Sequence, residues 1–250
     1  MTSTNPSERV PRTLHGNLDG PNFSNPDELV TIYVGPERKA FRVDKEVACL
    51  YSPVLKAAFN SKFIEGQTQT YTLEDCDDTA FQFIVQWMYR QSITPPATEE
   101  EAILIRDKFR SARTPQDSEI WRKILRYPRD LISAWLIADY LQSPRLQNYI
   151  VDQMEQLSWF QMIAVYSLDF LYENVSRGAA IREMIFEQCV RVIRAKYYET
   201  NPEWFPKEFL LDYVIRDKRL QKSTQAELNP FKNRAEFKRR FHVPEEGMIA

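Results

Sequence analysis

Carboxylates form the densest cluster of chemically capable side chains in this sequence of 250 residues, the run EDCDD from Glu74 to Asp78. Two carboxylates can share general acid and base work without a histidine. The run stands between a predicted strand and a predicted helix, where acidic residues usually cap free amides and oppose the helix dipole. We therefore favour a structural role, with Asp77 or Asp78 as the cap, over a catalytic one.

Histidine and glycine are too scarce for the common catalytic and nucleotide-binding sites. Nucleophilic triads and transition-metal sites usually draw on histidine, and the sequence has only His15 and His242, both in predicted tails. No two of the six glycines stand at the spacing of a GxGxxG or GxxxxGKS/T phosphate loop. We predict no catalytic residue, no cofactor, no metal ion and no small-molecule substrate.

Cysteine usage and charge indicate a soluble, intracellular protein of the cytoplasm, the nucleus or both. Cys49, Cys76 and Cys189 are odd in number and lack CxxC spacing, which favours free thiols in a reducing compartment. The formal charge of −2 gives no overall attraction to nucleic acid or an anionic membrane. No apolar run has the length of a signal peptide core or a membrane span.

A basic run near the end of the sequence alternates with phenylalanines. Its members are Phe231, Lys232, Arg234, Phe237, Lys238, Arg239, Arg240 and Phe241. Such a pattern occurs in nucleic-acid and import-receptor patches. We favour a solvated helix in a charged tail, because the whole chain is acidic and no second basic cluster supports the alternative. Whether the run is a targeting signal stays open.

The elements begin with a hairpin and a helix. Val30, Ile32 and Val34 alternate with polar residues and predict a strand. A Gly-Pro turn follows, and then AFRV predicts a second strand. Ser52-Pro53 predicts a helix start, since serine caps and proline fits the first turn. Gly66 is predicted to end that helix in the left-handed conformation.

Further along, TYTLEDCDD predicts a third strand, and a helix with an apolar stripe follows. That stripe consists of Phe81, Ile84, Val85 and Met88, widened by Phe83 and Trp87. Thr98 and Glu101 fit a capping box. Residues 97–127 have a weaker core signal and are interpreted as an insertion, and two apolar helices separated by Ser143-Pro144 form a predicted helical hairpin.

This order of elements resembles the BTB/POZ fold, an α+β fold in which a small three-stranded sheet packs with a helical cluster. The family pattern is matched by Val30-Thr31, Val34-Gly35, Phe41, Val43, Lys45-Glu46, Ser52-Pro53, Ala58-Phe59, Phe63, Glu65, Leu73, Phe81 and Trp87-Met88-Tyr89. Two positions depart from it: Asp44 replaces the usual histidine and Ala48 a usual leucine. The helices downstream resemble the all-helical extension of the fungal branch of the family.

The predicted organisation has four parts. A disordered tail spans 1–27, a BTB/POZ domain with the insertion spans 28–155, the helical extension spans 156–228 and a charged tail spans 229–250. Polar, proline-containing composition is the basis for the first of these boundaries.

The resemblance implies a non-enzymatic protein-interaction module with protein partners. A narrower alternative is a substrate adaptor of a cullin-based ubiquitin ligase, and a third is an enzyme that uses carboxylates alone. In adaptors of this family a hydrophobic residue, any residue and then glutamate precede the third strand, which Phe63 and Glu65 reproduce. The competing interpretation has Phe63 packed inward. Because Leu29 stands where dimeric relatives often carry aspartate, we expect a monomer or weak homodimer.

Overall fold

The computed structural model describes residues 20–104, 119–157, 164–222 and 229–245. Three strands are present in these ranges: β1 (Leu29–Val34), β2 (Lys39–Asp44) and β3 (Thr70–Leu73). The helices are α1 (Lys45–Tyr51), α2 (Pro53–Phe59), α3 (Ile64–Thr68), α4 (Asp78–Arg90), α5 (Glu119–Tyr140), α6 (Pro144–Gln156), α7 (Leu168–Asn174), α8 (Ala180–Val192), α9 (Ala195–Thr200), α10 (Lys207–Lys222) and α11 (Arg234–Phe241). The predicted α+β class is confirmed.

The three strands form one sheet in the order β2-β1-β3. β1 runs antiparallel to β2, with Val30 opposite Val43, and parallel to β3, with Thr31 opposite Thr70. The alternating residues Val30, Ile32 and Val34 are buried, as period-two patterning predicts for a strand with one core face. All three predicted strands are confirmed.

Side-chain caps start three of the first four helices. Asp44 accepts hydrogen bonds from the amides of Glu46 and Val47 and so begins α1 directly after β2. Ser52 caps α2 by accepting from the amide of Leu55 at 3.1 Å, as predicted. Asp77, one of the two predicted candidates, caps α4.

The helical hairpin of α5 and α6 completes the core beside α4. Ser143 and Pro144 separate the two helices, as predicted. The predicted insertion, however, extends too far: α5 already begins at Glu119, and Trp121, Ile124 and Tyr127 are buried. Their spacing continues the apolar face of the following turns. The helix also runs through Pro128, a residue type that usually kinks or breaks a helix interior.

The capping box at the start of the predicted surface helix is present. Thr98 donates its amide to the carboxylate of Glu101 at 2.9 Å, and the amide of Glu101 donates to the hydroxyl of Thr98 at 3.2 Å. Residues 99–104 are helical. The rest of that predicted helix lies outside the described residues, and so do most of the predicted amino-terminal tail and His15.

The carboxy-terminal segment differs from its prediction as a charged tail. α11 buries Phe237 and Phe241 almost completely, and the side chain of Asn148 in α6 bonds both backbone groups of Val243, at 2.9 and 2.7 Å. His242 bonds Asp152 at 2.7 Å and does not lie in a tail. The expectation of a fully solvated helix is therefore wrong. The two phenylalanines lie four residues apart on one face, which favours burial.

None of the helices in the described ranges is both long and apolar enough to cross a membrane.

Candidate protein-binding surface

A short, rigid connection between α2 and β3 carries the predicted binding residues. After α2 ends, Ser61 donates its hydroxyl to the carbonyl of Ala58 at 2.8 Å and accepts from the amide of Phe63 at 3.1 Å. Phe63 then stands in extended backbone conformation directly before α3. The serine thereby fixes the direction in which the chain leaves α2.

Gly66 lies inside α3, at a point where the neighbouring backbone leaves no room for a side chain. A Cβ at this position would stand 2.0 Å from the carbonyl oxygen of Ser61. The prediction that Gly66 ends α2 in the left-handed conformation is wrong: α2 ends at Phe59 with Asn60 as its cap, and the left-handed residue is Gln69 at the end of α3, with φ of 53°. The glycine serves a close approach of two backbone segments.

Gln69 ties the end of α3 back to the preceding turns. Its side-chain amide donates to the carbonyl of Phe59 at 3.1 Å and to that of Gly66 at 2.6 Å. Gln67 adds a bond from its side-chain amide to the carbonyl of Lys62 at 2.8 Å. These contacts hold α3 as a small fixed platform beside the sheet.

The platform displays two apolar side chains to solvent. Phe63 is 76% exposed and Ile64 is 64% exposed. The interpretation in which Phe63 packs inward is therefore wrong. Exposed large apolar side chains that lie next to each other are typical of binding surfaces, and a rigid aromatic ring can serve as an interface anchor.

Glu65 is half-buried and faces a pair of tyrosines. The hydroxyls of Tyr71 and Tyr140 are hydrogen bonded at 3.0 Å. Burial chiefly raises the pKa of Tyr71, and the bond to Tyr140 and the charge of Glu65 raise it further. Tyr71 therefore stays neutral, and Glu65 supplies a negative charge beside the exposed apolar pair.

The acidic run does not have the arrangement of a catalytic pair. Besides capping α4, Asp77 pairs with Arg126 at 2.7 Å, and Asp78 pairs with Lys39 at 2.7 Å. The hydrogen bond from Lys39 lowers the pKa of Asp78, which suits a permanent carboxylate and not a general acid. In the described part of the chain, no group of three metal-ligating side chains comes together.

The basic run of α11 is largely paired within the molecule. Arg234 contacts Asp152 at 2.5 Å, Arg239 contacts Glu236 at 2.6 Å, and Arg240 lies 3.7 Å from the carboxylate of Glu187. The three cysteines are free, as predicted, and burial raises the pKa of each thiol. Cys189 is fully buried, and its pKa is raised to about 12. These features favour structural roles.

Comparison with known proteins supports the fold of the first part of the chain. No curated protein matches the chain. The family model of the BTB/POZ domain matches residues 22–114, a span that contains the sheet, α1 to α4 and the exposed Phe63. Residues 22–114 therefore match the BTB/POZ domain, a type of protein-interaction module, and the chain continues beyond them into further helices.

Proposed function

We propose that this protein is a non-enzymatic adaptor that binds the amino-terminal domain of a cullin through Phe63 and Glu65. The observation that carries the proposal is the exposure of Phe63 on a platform fixed by Gln69 and Gly66. Such a side chain can enter an apolar pocket between partner helices, while Glu65 sets the register.

Other features support the proposal. The match to an interaction domain and the paired acidic run favour binding over catalysis. The free thiols suit the cytoplasm or nucleus. We also infer, from the resemblance of the extension, that the protein belongs to the fungal branch of the family.

The test is titration of the purified chain with a cullin amino-terminal domain by calorimetry. Phe63→Ala is expected to weaken binding by about 1 to 3 kcal/mol, since it removes an anchor. Thermal stability stays unchanged, because the ring makes little contact with the core. Glu65→Lys should also weaken binding.

Leu211→Ala is the matched control, because Leu211 is also an exposed apolar residue but lies on α10. It should leave binding unchanged. Loss of stability in Phe63→Ala with unaltered binding would overturn the site, and failure of the unaltered chain to bind would overturn the cullin as partner.

Self-association is the second measurable part of the proposal. We infer a monomer or a weak homodimer. Leu29 at the start of β1 is exposed, and no further strand pairs with the outer edges of β2 or β3 in the described residues. Light scattering at low micromolar concentration should give the mass of one chain, 29.6 kDa. A stable mass of twice that value would contradict the inference.

A further inference from the structure

A cleft of about 1390 Å³ lies between the carboxyl ends of β1 and β3 and the helices α5 and α7. On one side it is lined by the turn after β1 and by the acidic run that follows β3. On the other side lie one face of α5 and Phe170 of α7. Pockets for small molecules usually hold roughly 300 to 1,000 Å³. The cleft therefore has room for a polypeptide segment.

The helical side of this cleft carries apolar side chains together with Arg129, Ser133 and Asn174. Leu136 and Phe170 are half-buried, and Tyr140 is exposed. The guanidinium of Arg129 lies 4.4 Å from the ring centre of Phe170, which shows that the ring already accepts a cation on one face. An aromatic or aliphatic side chain from a partner can pack against these residues.

The sheet side of the cleft is negatively charged. Glu37, Glu74 and Asp75 are exposed, and none of the three makes a hydrogen bond or ion pair with another described residue. This differs from Asp77 and Asp78, which are paired with Arg126 and Lys39. Three unmatched carboxylates therefore stand together along one wall.

We propose that this cleft binds a cationic segment of a partner protein. An apolar side chain of the segment packs on Leu136 and Phe170, while its lysines or arginines face Glu37, Glu74 and Asp75. Charge complementarity is the argument for this occupant, because an acidic wall attracts basic segments and repels acidic ones. The cleft is a second docking surface, and its occupation does not depend on what Phe63 binds.

The test uses a fluorescein-labelled peptide of repeated Arg-Phe-Arg-Ala units, with a Glu-Phe-Glu-Ala peptide of the same length as its counterpart. Fluorescence anisotropy with the full chain should show binding of the cationic peptide alone. Binding should weaken as salt is added, because the facing charges are exposed and screened.

Three charge reversals test the acidic wall: Glu37→Lys, Glu74→Lys and Asp75→Lys combined. The matched control combines Glu28→Lys, Glu199→Lys and Glu203→Lys, which changes the net charge equally at exposed positions elsewhere. The cleft triple should weaken the cationic peptide at least about tenfold, and the control less than about twofold. Both triples should melt like the unaltered chain, since all six side chains are exposed.

The apolar wall is tested with Phe170→Ala, which should weaken binding about fivefold or more. Absence of binding to the unaltered chain, or equal weakening in both triples, would overturn the proposal. Equal binding of the acidic peptide would do the same. Self-association that only the cleft triple abolishes would assign the cleft to a second copy of this chain instead.

Discussion

The BTB/POZ domain and the helical extension are held together by different kinds of contact. In the domain, Asp44, Ser52 and Asp77 cap the helices that immediately follow them. In the extension, charged side chains join helices that are distant in sequence, as Arg216 of α10 does with Glu187 of α8. These caps act between neighbours along the chain, whereas the ion pairs of the extension join partners that only the fold brings together.

This difference has an energetic consequence. Loss of a cap removes one or two hydrogen bonds from a helix that still has its apolar face. Loss of one partner from a buried ion pair leaves the other charge in a poorly solvated place. Arg182 shows how many partners one charged side chain of the extension can have. Its guanidinium contacts the carbonyl of Val175, the carboxylate of Glu208 and the ring of Tyr172.

The largest effect is expected at Glu187. Its carboxylate accepts two hydrogen bonds from Arg216, at 2.8 and 3.0 Å, and lies 3.2 Å from Arg191. Its side chain is only 5% exposed. Glu187→Leu should lower the free energy of unfolding by about 2 to 4 kcal/mol, because Arg216 loses two charge-assisted hydrogen bonds and Arg191 loses an ion pair. Urea unfolding of the full chain measures the change.

Glu173→Leu, at an exposed position on α7, is the control and should change stability by less than about 0.5 kcal/mol. The thiol of Cys189 is a local reporter, because it is fully buried in α8. Glu187→Leu should speed its labelling. Equal stability of the two variants would show that the charged contacts do not hold the extension together.

The same difference explains what the sequence could predict. Alternating apolar residues identified β1, and the Ser52-Pro53 pair identified α2, because each signal lies within a few residues of its effect. The burial of Phe237 needs contacts with α8, about fifty residues earlier. No local rule reveals that partner.

The binding surface was predicted only in part. The resemblance to adaptors pointed to Phe63 and Glu65, but exposure could not be read from three residues. Gly66 was misinterpreted because a glycine after a helix usually supplies a left-handed stop. Its actual reason, the approach of the Ser61 carbonyl, is a contact in space.

Gly66→Ala sharpens the comparison by adding steric strain inside the domain. The new Cβ would meet backbone atoms of Ser61 at 2.0 and 2.8 Å, so α3 has to shift. Stability should fall by about 1 to 3 kcal/mol. Gly20→Ala is the control, since a Cβ there meets nothing within 4 Å. An unchanged melting temperature in both variants would show that α3 shifts to accommodate the added methyl group without loss of stability.

Ser52→Ala tests the cap and should have a smaller effect. The hydroxyl accepts from the amide of Leu55 and donates to the carbonyl of Leu141 at 2.8 Å. Its loss should cost about 1 to 2 kcal/mol in chemical denaturation. Ser143 also precedes a helix that starts with proline, but it makes no side-chain cap bond, so Ser143→Ala should cost less. The reverse order would contradict the assignment of Ser52 as an energetic cap.

The smallest effect concerns the amino-terminal boundary. The amides of Asn22 and Ser24 donate to the carboxylate of Glu46 in the first turn of α1, at 2.5 and 3.2 Å. The predicted tail of residues 1–27 therefore includes a short segment that contacts the domain.

Deletion of residues 1–19 should change the free energy of unfolding by less than about 0.5 kcal/mol, because their polar composition gives little to pack. Deletion of residues 1–27 should cost a further 0.5 to 1 kcal/mol, roughly the value of exposed hydrogen bonds to a charged group. Glu46→Gln provides the check. It should lower the free energy of unfolding more in the chain lacking residues 1–19 than in the chain lacking residues 1–27. Equal effects of Glu46→Gln in both chains would mean that these two hydrogen bonds contribute nothing to stability.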